Sequence, residues 1–247
     1  MGEPMCDSSQ QIDRRTALIG AGCLALGGLL PGSAAAQVSL PRQSPINLRR
    51  RRITFVNRLA RVAFRYPEAI DVTLVNTGSP DEFATVRADV PLGAAGIVLR
   101  GKRWDLVQFH WHTPSEHRVG GRPTPMEMHL VHSRANGALL VVAVFIERGR
   151  ANSALGPMLR RLPSEPGATR DVADVRLRDL LPDRRESFRY SGSLTTPPFT
   201  EPVRFVVMAD PIEASRRQIG RFRELFPEGN SRETQRLNGR RVRSDAG

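Results

Sequence analysis

The chain has 247 residues and a formal net charge of +12, and all of its 37 basic residues except Lys102 are arginine. So basic a composition raises nucleic acid as a partner, but the arginines are scattered. The one dense run, residues 49–52, has no interleaved aromatic residue that could stack on bases. We therefore expect no nucleic-acid site and a solvated basic surface, at most weakly attracted to anionic lipid. The two cysteines are Cys6 and Cys23, which excludes a disulfide later in the chain.

Residues 1–36 have the pattern of a cleaved signal peptide, so we do not expect them to form part of the folded domain. Arg14 and Arg15 precede an apolar run at residues 17–30, and residues 34–36 are alanines suited to a signal peptidase. The apolar run is shorter than the roughly 20 residues that a membrane-spanning helix needs, which argues against a transmembrane anchor. We predict export to the periplasm or the medium, by the twin-arginine route in preference to the general secretory route.

Residues 37–247 are long enough for one substantial core but not comfortably for two. Short apolar runs punctuated by glycine and proline, such as residues 70–75 and 203–208, predict strands. Two helices are expected, one capped by Asn152 and one by Ser215. Their apolar faces would bury Leu155, Met158, Leu159 and Leu162 in the first, and Ile219, Phe222 and Phe226 in the second. The predicted fold is a single, strand-dominated α+β domain.

All five histidines fall within one short stretch, residues 110–132. His110 and His112 lie in a segment with valine, phenylalanine and tryptophan, which favours a strand, and residues i and i+2 of a strand point to one face about 7 Å apart. His129 lies in a second apolar segment that could supply a third ligand from a neighbouring antiparallel strand. Three imidazoles with a fourth position left to water are typical of catalytic zinc. The sequence thus predicts Zn²⁺ at these three residues.

The same alternation identifies partners for the zinc ligands. Gln108 and Glu127 share the faces of the predicted ligands on their own strands, so each could accept the outer N–H of an imidazole and fix its tautomer. His117 and His132 have the opposite parity, and we assign both to structural hydrogen bonds. A single buried histidine is usually an ordinary core residue, but ordinary burial does not favour His-X-His followed by Glu-X-His on apolar strands.

Six segments of the chain, taken in order, match one known family. They are residues 43–48, 108–112, 115–117, 127–132, 193–198 and 237–240. On these motifs the chain resembles the alpha-class carbonic anhydrases over about residues 43–242. The resemblance implies a zinc lyase that reversibly hydrates carbon dioxide to bicarbonate and a proton by means of zinc-bound hydroxide. It also implies a large central, mostly antiparallel twisted sheet with peripheral helices.

The resemblance gives roles to residues that spacing alone could not interpret. The backbone carbonyl of Asn230 would join Gln108 and Glu127 as a partner of the ligand imidazoles. The hydroxyl of Thr195 would accept a hydrogen bond from the hydroxide and donate one to the buried carboxylate of Glu116. The apolar substrate pocket would be lined by Val131, Val141, Leu194 and Val203.

One departure from the family concerns proton transfer. The family motif ends in a histidine that carries protons to solvent, whereas residues 76–79 end in Ser79. Serine does not titrate near neutrality, and histidine is the side chain whose ordinary pKa suits the task. The resemblance pairs His117 with Tyr190 as a structural contact, so no spare histidine remains. We expect a working enzyme that is limited by proton transfer and rescued by small buffers such as imidazole.

Two other functions stay open at this point. A cupin-type metal enzyme also uses His-X-His followed by a carboxylate, which His110, His112 and Glu116 would satisfy, but the other cupin landmarks are missing. The family also contains members that keep the fold and lose activity, typically with loss of a zinc ligand. A zinc-binding but catalytically weak or inactive protein is therefore the alternative. Neither reading fixes the oligomeric state, and a homodimer is compatible with both.

Overall fold

The computed structural model describes residues 41–78 and 84–246. The predicted signal peptide and Ser79 therefore lie outside the described residues. The described strands are β1 (Asn47–Leu48), β2 (Ile53–Phe55), β3 (Val62–Arg65), β4 (Ile70–Asn76), β5 (Val86–Asp89), β6 (Gly96–Leu99), β7 (Lys102–His112), β8 (Arg118–Val119), β9 (Met126–Ser133), β10 (Leu139–Arg148), β11 (Thr169–Val175), β12 (Ser187–Gly192), β13 (Val203–Met208), β14 (Ile212–Ala214) and β15 (Val242–Ser244). The predicted strand-dominated domain is confirmed.

Two α-helices lie at the periphery of the described fold, α1 (Leu155–Leu159) and α2 (Arg216–Leu225). Ser215 caps α2 as predicted: its Oγ accepts a hydrogen bond from the backbone N–H of Gln218, whose side chain accepts one from the backbone N–H of Ser215. This reciprocal capping box satisfies two donors that a helix start leaves unpaired. Short 3₁₀ turns occur at Arg50–Arg52 and Leu177–Leu180.

Helix α1 is shorter than the sequence predicts. The Oδ1 atom of Asn152 accepts hydrogen bonds from the backbone N–H groups of Ala154 and Leu155, so the expected cap forms. The helix nevertheless ends at Leu159, and Leu162 is only half-buried. Leu162 precedes Pro163, and the residue before a proline is disfavoured in helical conformation. The proline therefore keeps Leu162 out of the helix, although the apolar pattern continues to that residue.

One twisted sheet of 13 strands dominates the described residues. Its main path runs β11-β4-β5-β7-β9-β10-β13-β12-β15-β2, with β3 and β6 paired beside β7 and β14 extending from β10. Most neighbours are antiparallel, including the central β7–β9 and β9–β10 pairs. The pairs β10–β13, β10–β14 and β15–β2 are parallel. The expected large, mostly antiparallel sheet is confirmed.

The two faces of the central strands have different contents, because side chains alternate along a strand. One face carries the larger apolar core, in which Phe109 of β7 and Met128 of β9 are fully buried. The opposite face carries a smaller apolar cluster that includes Val141 and Phe205. All five histidines are buried. The sheet thus holds histidine side chains away from water on both sides.

Candidate metal centre and active site

The predicted zinc ligands meet on one face of the sheet. His110 and His112 lie two residues apart on β7, and the antiparallel register places His129 of β9 directly opposite His110. The intervening residue, Trp111, points to the other face and is fully buried in the main core, which holds the strand in this orientation. One ring nitrogen from each of the three histidines lies within 4.8 Å of the others. The structure therefore brings together the three residues that the sequence nominated.

Each of these imidazoles is oriented by an oxygen acceptor at its other nitrogen. Nδ1 of His110 lies 2.8 Å from Oε1 of Gln108, and Nδ1 of His112 lies 3.0 Å from the backbone carbonyl of Asn230. Nε2 of His129 lies 2.8 Å from Oε1 of Glu127. These oxygens can only accept, so each of these ring nitrogens carries the proton. The remaining nitrogens, Nε2 of the first two rings and Nδ1 of the third, keep their lone pairs.

The donor set fits a zinc ion. Nε2 of His112 is buried and has no hydrogen-bond partner among the described residues, an arrangement that is costly unless a ligand satisfies the atom. Three imidazoles are a protein ligand set of catalytic zinc, in which water takes the fourth position. A second group, His117, Glu127 and His129, also has closely spaced donor atoms. It is less suited to a metal, because Glu127 already accepts hydrogen bonds from both imidazoles.

The protonation of the ligands follows from their surroundings. Burial lowers the pKa of His110 well below its ordinary value, and the neighbouring His112 and His129 lower it further. Burial also lowers the pKa of His112. Burial acts in the same direction on His129, but the attraction of Glu127 outweighs it, so the pKa of His129 is raised. Two of the rings are thereby held neutral, the form in which imidazole binds metal.

Glu127 is the centre of a buried hydrogen-bond network. Its carboxylate accepts from the backbone N–H of His117 at 2.7 Å, from Nδ1 of His117 at 2.6 Å and from Nε2 of His129 at 2.8 Å. Burial alone would raise the pKa of this carboxyl, but His117 and His129 hold it well below its ordinary value. An ionised carboxylate with this many donors fixes the orientation of a ligand ring.

The network continues through Tyr190, as predicted for His117. The tyrosine hydroxyl lies 2.7 Å from Nε2 of His117 and 2.9 Å from Oγ of Ser44. Nδ1 of His117 donates to Glu127, so the two nitrogens of this ring are held by Glu127 and Tyr190. Burial raises the pKa of Tyr190 well above its ordinary value, which keeps the hydroxyl protonated. His132, on the other face, bonds to the hydroxyl of Tyr66 at 2.9 Å.

Glu116 lies against the imidazole cluster. Its Oε2 atom is 3.4 Å from Nε2 of His112 and 3.6 Å from Nδ1 of His129. Its Oε1 atom accepts a hydrogen bond from the backbone N–H of Arg232 at 3.0 Å. Oε2 is buried and has no hydrogen-bond partner in the described part of the chain, so the contact with Thr195 that the resemblance implies does not form through it. Thr195 itself is buried, in the segment between β12 and β13.

The four predicted pocket residues lie together. Val131, Val141 and Val203 are buried members of the smaller apolar cluster, and Leu194 packs against it. Cross-strand pairing sets Val131 opposite Val141, two residues along β9 from His129. Because positions two apart share a face, this apolar surface lies on the same side of the sheet as the imidazoles.

Sequence reasoning missed two arginines at this site. Arg87 of β5 pairs across the sheet with His110 and forms an ion pair with Asp89 at 2.6 Å. Arg232 supplies the backbone N–H that holds Glu116, and its guanidinium donates to the backbone carbonyl of Ser44 at 2.7 Å. Alternation along β5 identifies Arg87 only once the pairing of β5 with β7 is known. The chain separation of 116 residues between Arg232 and Glu116 left no local signal.

Three convergent imidazoles on adjacent strands of a large sheet are typical of catalytic zinc enzymes. Comparison with known families matches residues 33–246 to eukaryotic-type carbonic anhydrase. A carbonic anhydrase of Klebsiella pneumoniae is 38% identical over 203 residues, covering 81% of this chain and 78% of the relative. One of Nostoc sp. is 36% identical over 221 residues, covering 87% and 80%. The chain belongs to the alpha carbonic anhydrase family, whose members are zinc lyases.

Solved structures agree with this assignment. The alpha-carbonic anhydrase of Thermovibrio ammonificans, solved with the inhibitor sulfanilamide, has a TM-score of 0.75 and 38% identity over 82% of this chain and 86% of that one. The Photobacterium profundum alpha-carbonic anhydrase has a TM-score of 0.74 and 36% identity, with 84% and 90% covered. In the described part of this chain, no helix has the length and apolar character needed to span a membrane.

Proposed function

We propose that this protein catalyses the reversible hydration of carbon dioxide to bicarbonate and a proton, with Zn²⁺ held by His110, His112 and His129. The observation that carries the proposal is the convergence of three ring nitrogens whose opposite nitrogens are all held by oxygen acceptors. Zinc, when bound, supplies a Lewis acid that lowers the pKa of a coordinated water to about 7. The protein's own residues then have to hold the substrate, orient the nucleophile and release a proton.

Carbon dioxide would bind against the apolar surface next to the imidazoles. Val141 and Val203 are buried there, and Val131 stands two positions from His129 on the same face. Apolar side chains suit a small uncharged substrate, because they exclude water without competing for hydrogen bonds. Polar groups on this face are concentrated at the histidines, so carbon dioxide would meet the nucleophile at the edge of the apolar surface.

Thr195 and Glu116 would orient the nucleophile. In this proposal the hydroxyl of Thr195 accepts a hydrogen bond from the nucleophile and donates its own proton to Oε2 of Glu116, which directs a lone pair toward carbon dioxide. Two observations support Glu116 as the acceptor: its Oε1 is held by Arg232, and its buried Oε2 has no hydrogen-bond partner among the described residues and so can accept one from Thr195. We expect T195A to lower kcat/KM about 100-fold, as loss of an orienting hydrogen bond does elsewhere. T195S, which keeps the hydroxyl, should recover most of the activity.

Proton release would limit turnover. All five histidines are buried, and His117 is committed to Glu127 and Tyr190 at its two nitrogens. Ser79, at the family's shuttle position, lies outside the described residues. An external buffer would therefore have to accept the proton that histidine carries in the fast members of the family.

Stopped-flow carbon dioxide hydration by the zinc-loaded protein, over a range of imidazole concentrations, tests both proposals. We expect activity that rises with imidazole and disappears in H110A. High turnover without any imidazole dependence would refute the proton-transfer limit. Full zinc occupancy with no hydration at any imidazole concentration would refute the activity and favour a catalytically inactive zinc-binding protein.

We further propose that residues 1–36 direct export and are then removed, leaving residues 37–247 in the periplasm or the medium. Arg14 and Arg15 ahead of the apolar run are the supporting observation. Mass spectrometry of the protein recovered from the periplasm should give an amino terminus at residue 37. Replacement of both arginines by lysine should block export if the twin-arginine route is used. Size-exclusion chromatography of the mature protein tells a monomer from a homodimer.

A further inference from the structure

A cleft lined by basic side chains lies away from the predicted zinc ligands. It has a volume of about 780 Å³, and eight of its lining residues are arginine or lysine while none is aspartate or glutamate. A volume of this size is within the range of pockets that bind small ligands. None of the three predicted zinc ligands lines it. The cleft is therefore distinct from the histidine cluster, although Tyr190 and Phe205 line it as well.

The arginines of the cleft are brought together by strand pairing. Arg189 of β12 lies directly opposite Arg243 of β15, and Arg204 of β13 pairs with Ser191, two residues further along β12. Like charges directly opposite each other across two strands destabilise a sheet. Burial lowers the pKa of Arg189, and the nearby Arg100 and Arg243 lower it further. The pair is thus kept together at an electrostatic cost.

The opposite wall adds cations that are held in place. A tight turn between β6 and β7, with positive φ at Arg100 and Gly101, directs Arg100 and Lys102 to the cleft. The guanidinium of Arg134 lies over the ring of Trp104, 5.4 Å from its centroid. The indole N–H of Trp104 is buried and has no hydrogen-bond partner among the described residues. This wall therefore contains a buried donor as well as three cations, of which Arg134 is packed on an indole ring.

The cations of the cleft have no carboxylate partners of their own among the described residues. Arg87, Arg103 and Arg184 each form an ion pair with a nearby carboxylate at 2.6 to 3.1 Å. In the part of the chain that the structure describes, none of the eight cleft cations takes part in an ion pair. The carboxylate of Asp245 attracts Arg189 but accepts its hydrogen bond from the backbone N–H of Ser187. Most of the positive charge in the cleft is left for a ligand.

We propose that this cleft is a binding site for a multiply charged phosphate, in solution or on a phospholipid head group. Guanidinium groups present paired N–H donors that match phosphate oxygens, and several of them around one cavity favour a ligand with more than one negative charge. A second copy of this chain does not fit as the occupant through the same face, because the two positive surfaces would repel each other. The ligand relieves the repulsion between Arg189 and Arg243. Its oxygens also supply hydrogen-bond acceptors for the indole N–H of Trp104 and for the cations beside it.

Isothermal titration calorimetry with inorganic triphosphate, on the zinc-loaded protein at low and at moderate salt, measures this binding. The test variant R204Q/R241Q/R243Q removes three exposed cleft arginines. The control R49Q/R51Q/R52Q removes the same charge from the exposed run at residues 49–52. We expect one site per chain, weakened about tenfold or more in the test variant and less than about threefold in the control, because direct contacts and not net charge dominate.

A second arm distinguishes the two sources of phosphate. Vesicles that contain cardiolipin, whose head group carries two phosphates, and vesicles of phosphatidylcholine are sedimented with the same proteins. Triphosphate binding without vesicle binding supports a soluble phosphate. Binding to the cardiolipin vesicles and not to phosphatidylcholine, lost in the test variant and kept in the control, supports a head group. Equal weakening of both variants, or no binding in either arm, overturns the proposal.

Thermal unfolding without ligand tests the repulsion between Arg189 and Arg243 directly. R243Q removes the cross-strand neighbour of Arg189, so it should raise the unfolding midpoint by a few degrees and reduce the stabilisation by triphosphate. R52Q should do neither. A fall in the midpoint of R243Q, with triphosphate stabilisation unchanged, would contradict the repulsion on which the proposal depends.

Discussion

Strand β9 carries two buried histidines whose side chains lie on opposite faces of the sheet. His129 lies beside Glu127, and the attraction of that carboxylate outweighs burial and raises the pKa of the ring. His132 bonds to the hydroxyl of Tyr66, and burial lowers its pKa to about 4. Both side chains are almost fully buried, so depth does not explain the difference. The two rings therefore differ in pKa because of their partners, a buried carboxylate for His129 and a tyrosine hydroxyl for His132.

Replacing each histidine in turn tests most directly whether the two faces of β9 act independently. H129A should lose zinc and lower carbon dioxide hydration by about 1,000-fold or more, since without the metal no hydroxide nucleophile is available near neutral pH. H132F should keep one zinc per chain and nearly full activity, at a stability cost of about 1–3 kcal/mol because the hydroxyl of Tyr66 loses its partner. Zinc analysis and stopped-flow hydration on both variants check this. Loss of zinc from H132F would show that the two faces are not independent.

The pH dependence of stability separates His132 from the metal centre. The pKa of His132 is about 4 in the folded protein and about 6.5 when unfolded, so the unfolded chain binds more protons between these values. Its contribution to stability is complete above pH 6.5 and is lost as the pH falls toward 4, by about 3 kcal/mol in total. Urea unfolding of the wild type should therefore lose more stability than H132F over this range. His110 and His112, whose pKa values are also lowered, act equally in both proteins. Parallel curves would rule out the assignment.

Much of the metal centre could be predicted from sequence, because it depends on local alternation. Spacing along β7 and β9 placed His110, His112 and His129 together, and parity assigned Gln108 and Glu127 as partners. Asn230 came only from the resemblance, since its carbonyl reaches His112 across 118 residues of chain. The limit is physical: alternation fixes which face a side chain occupies, whereas strand order decides what it meets there.

The parts of the molecule that escaped prediction depend on strand order. Arg87 lies opposite His110 because β5 pairs with β7. The basic cleft collects arginines that the sequence scatters, such as Arg189 and Arg243, because β12 pairs with β15. No local periodicity carries that information. The early end of α1 is different, because a local signal for it exists. Pro163 disfavours helical conformation at Leu162, although the apolar pattern continues to that residue.

Replacement of Glu127 by glutamine tests whether its carboxylate orients the ring of His129 and raises the pKa of that ring. In E127Q the amide keeps one acceptor but places its NH₂ group against a donor of His117 or His129, so the ring orientation loosens. We expect zinc affinity to fall about 10- to 100-fold, the usual effect of removing a partner of a zinc-bound histidine. Y190F removes only the hydroxyl that is hydrogen-bonded to Nε2 of His117, one step further from the predicted ligand His129, and should cost less than E127Q. Competition with a chromogenic chelator measures both, and equal losses would mean that Glu127 does not act directly on His129.

Substitution at Ser79 has the smallest expected effect. It tests whether turnover is limited because neither face of β9 offers a solvent-accessible histidine. All five histidines are buried, so none is available to carry protons to solvent. S79H supplies a group with a suitable ordinary pKa, and we expect turnover at low buffer to rise about tenfold with a weaker dependence on imidazole. S79A, which removes the hydroxyl without adding a titratable group, is the matched control and should behave like the wild type. If S79H and S79A respond alike to imidazole, proton release is not the step that limits this enzyme.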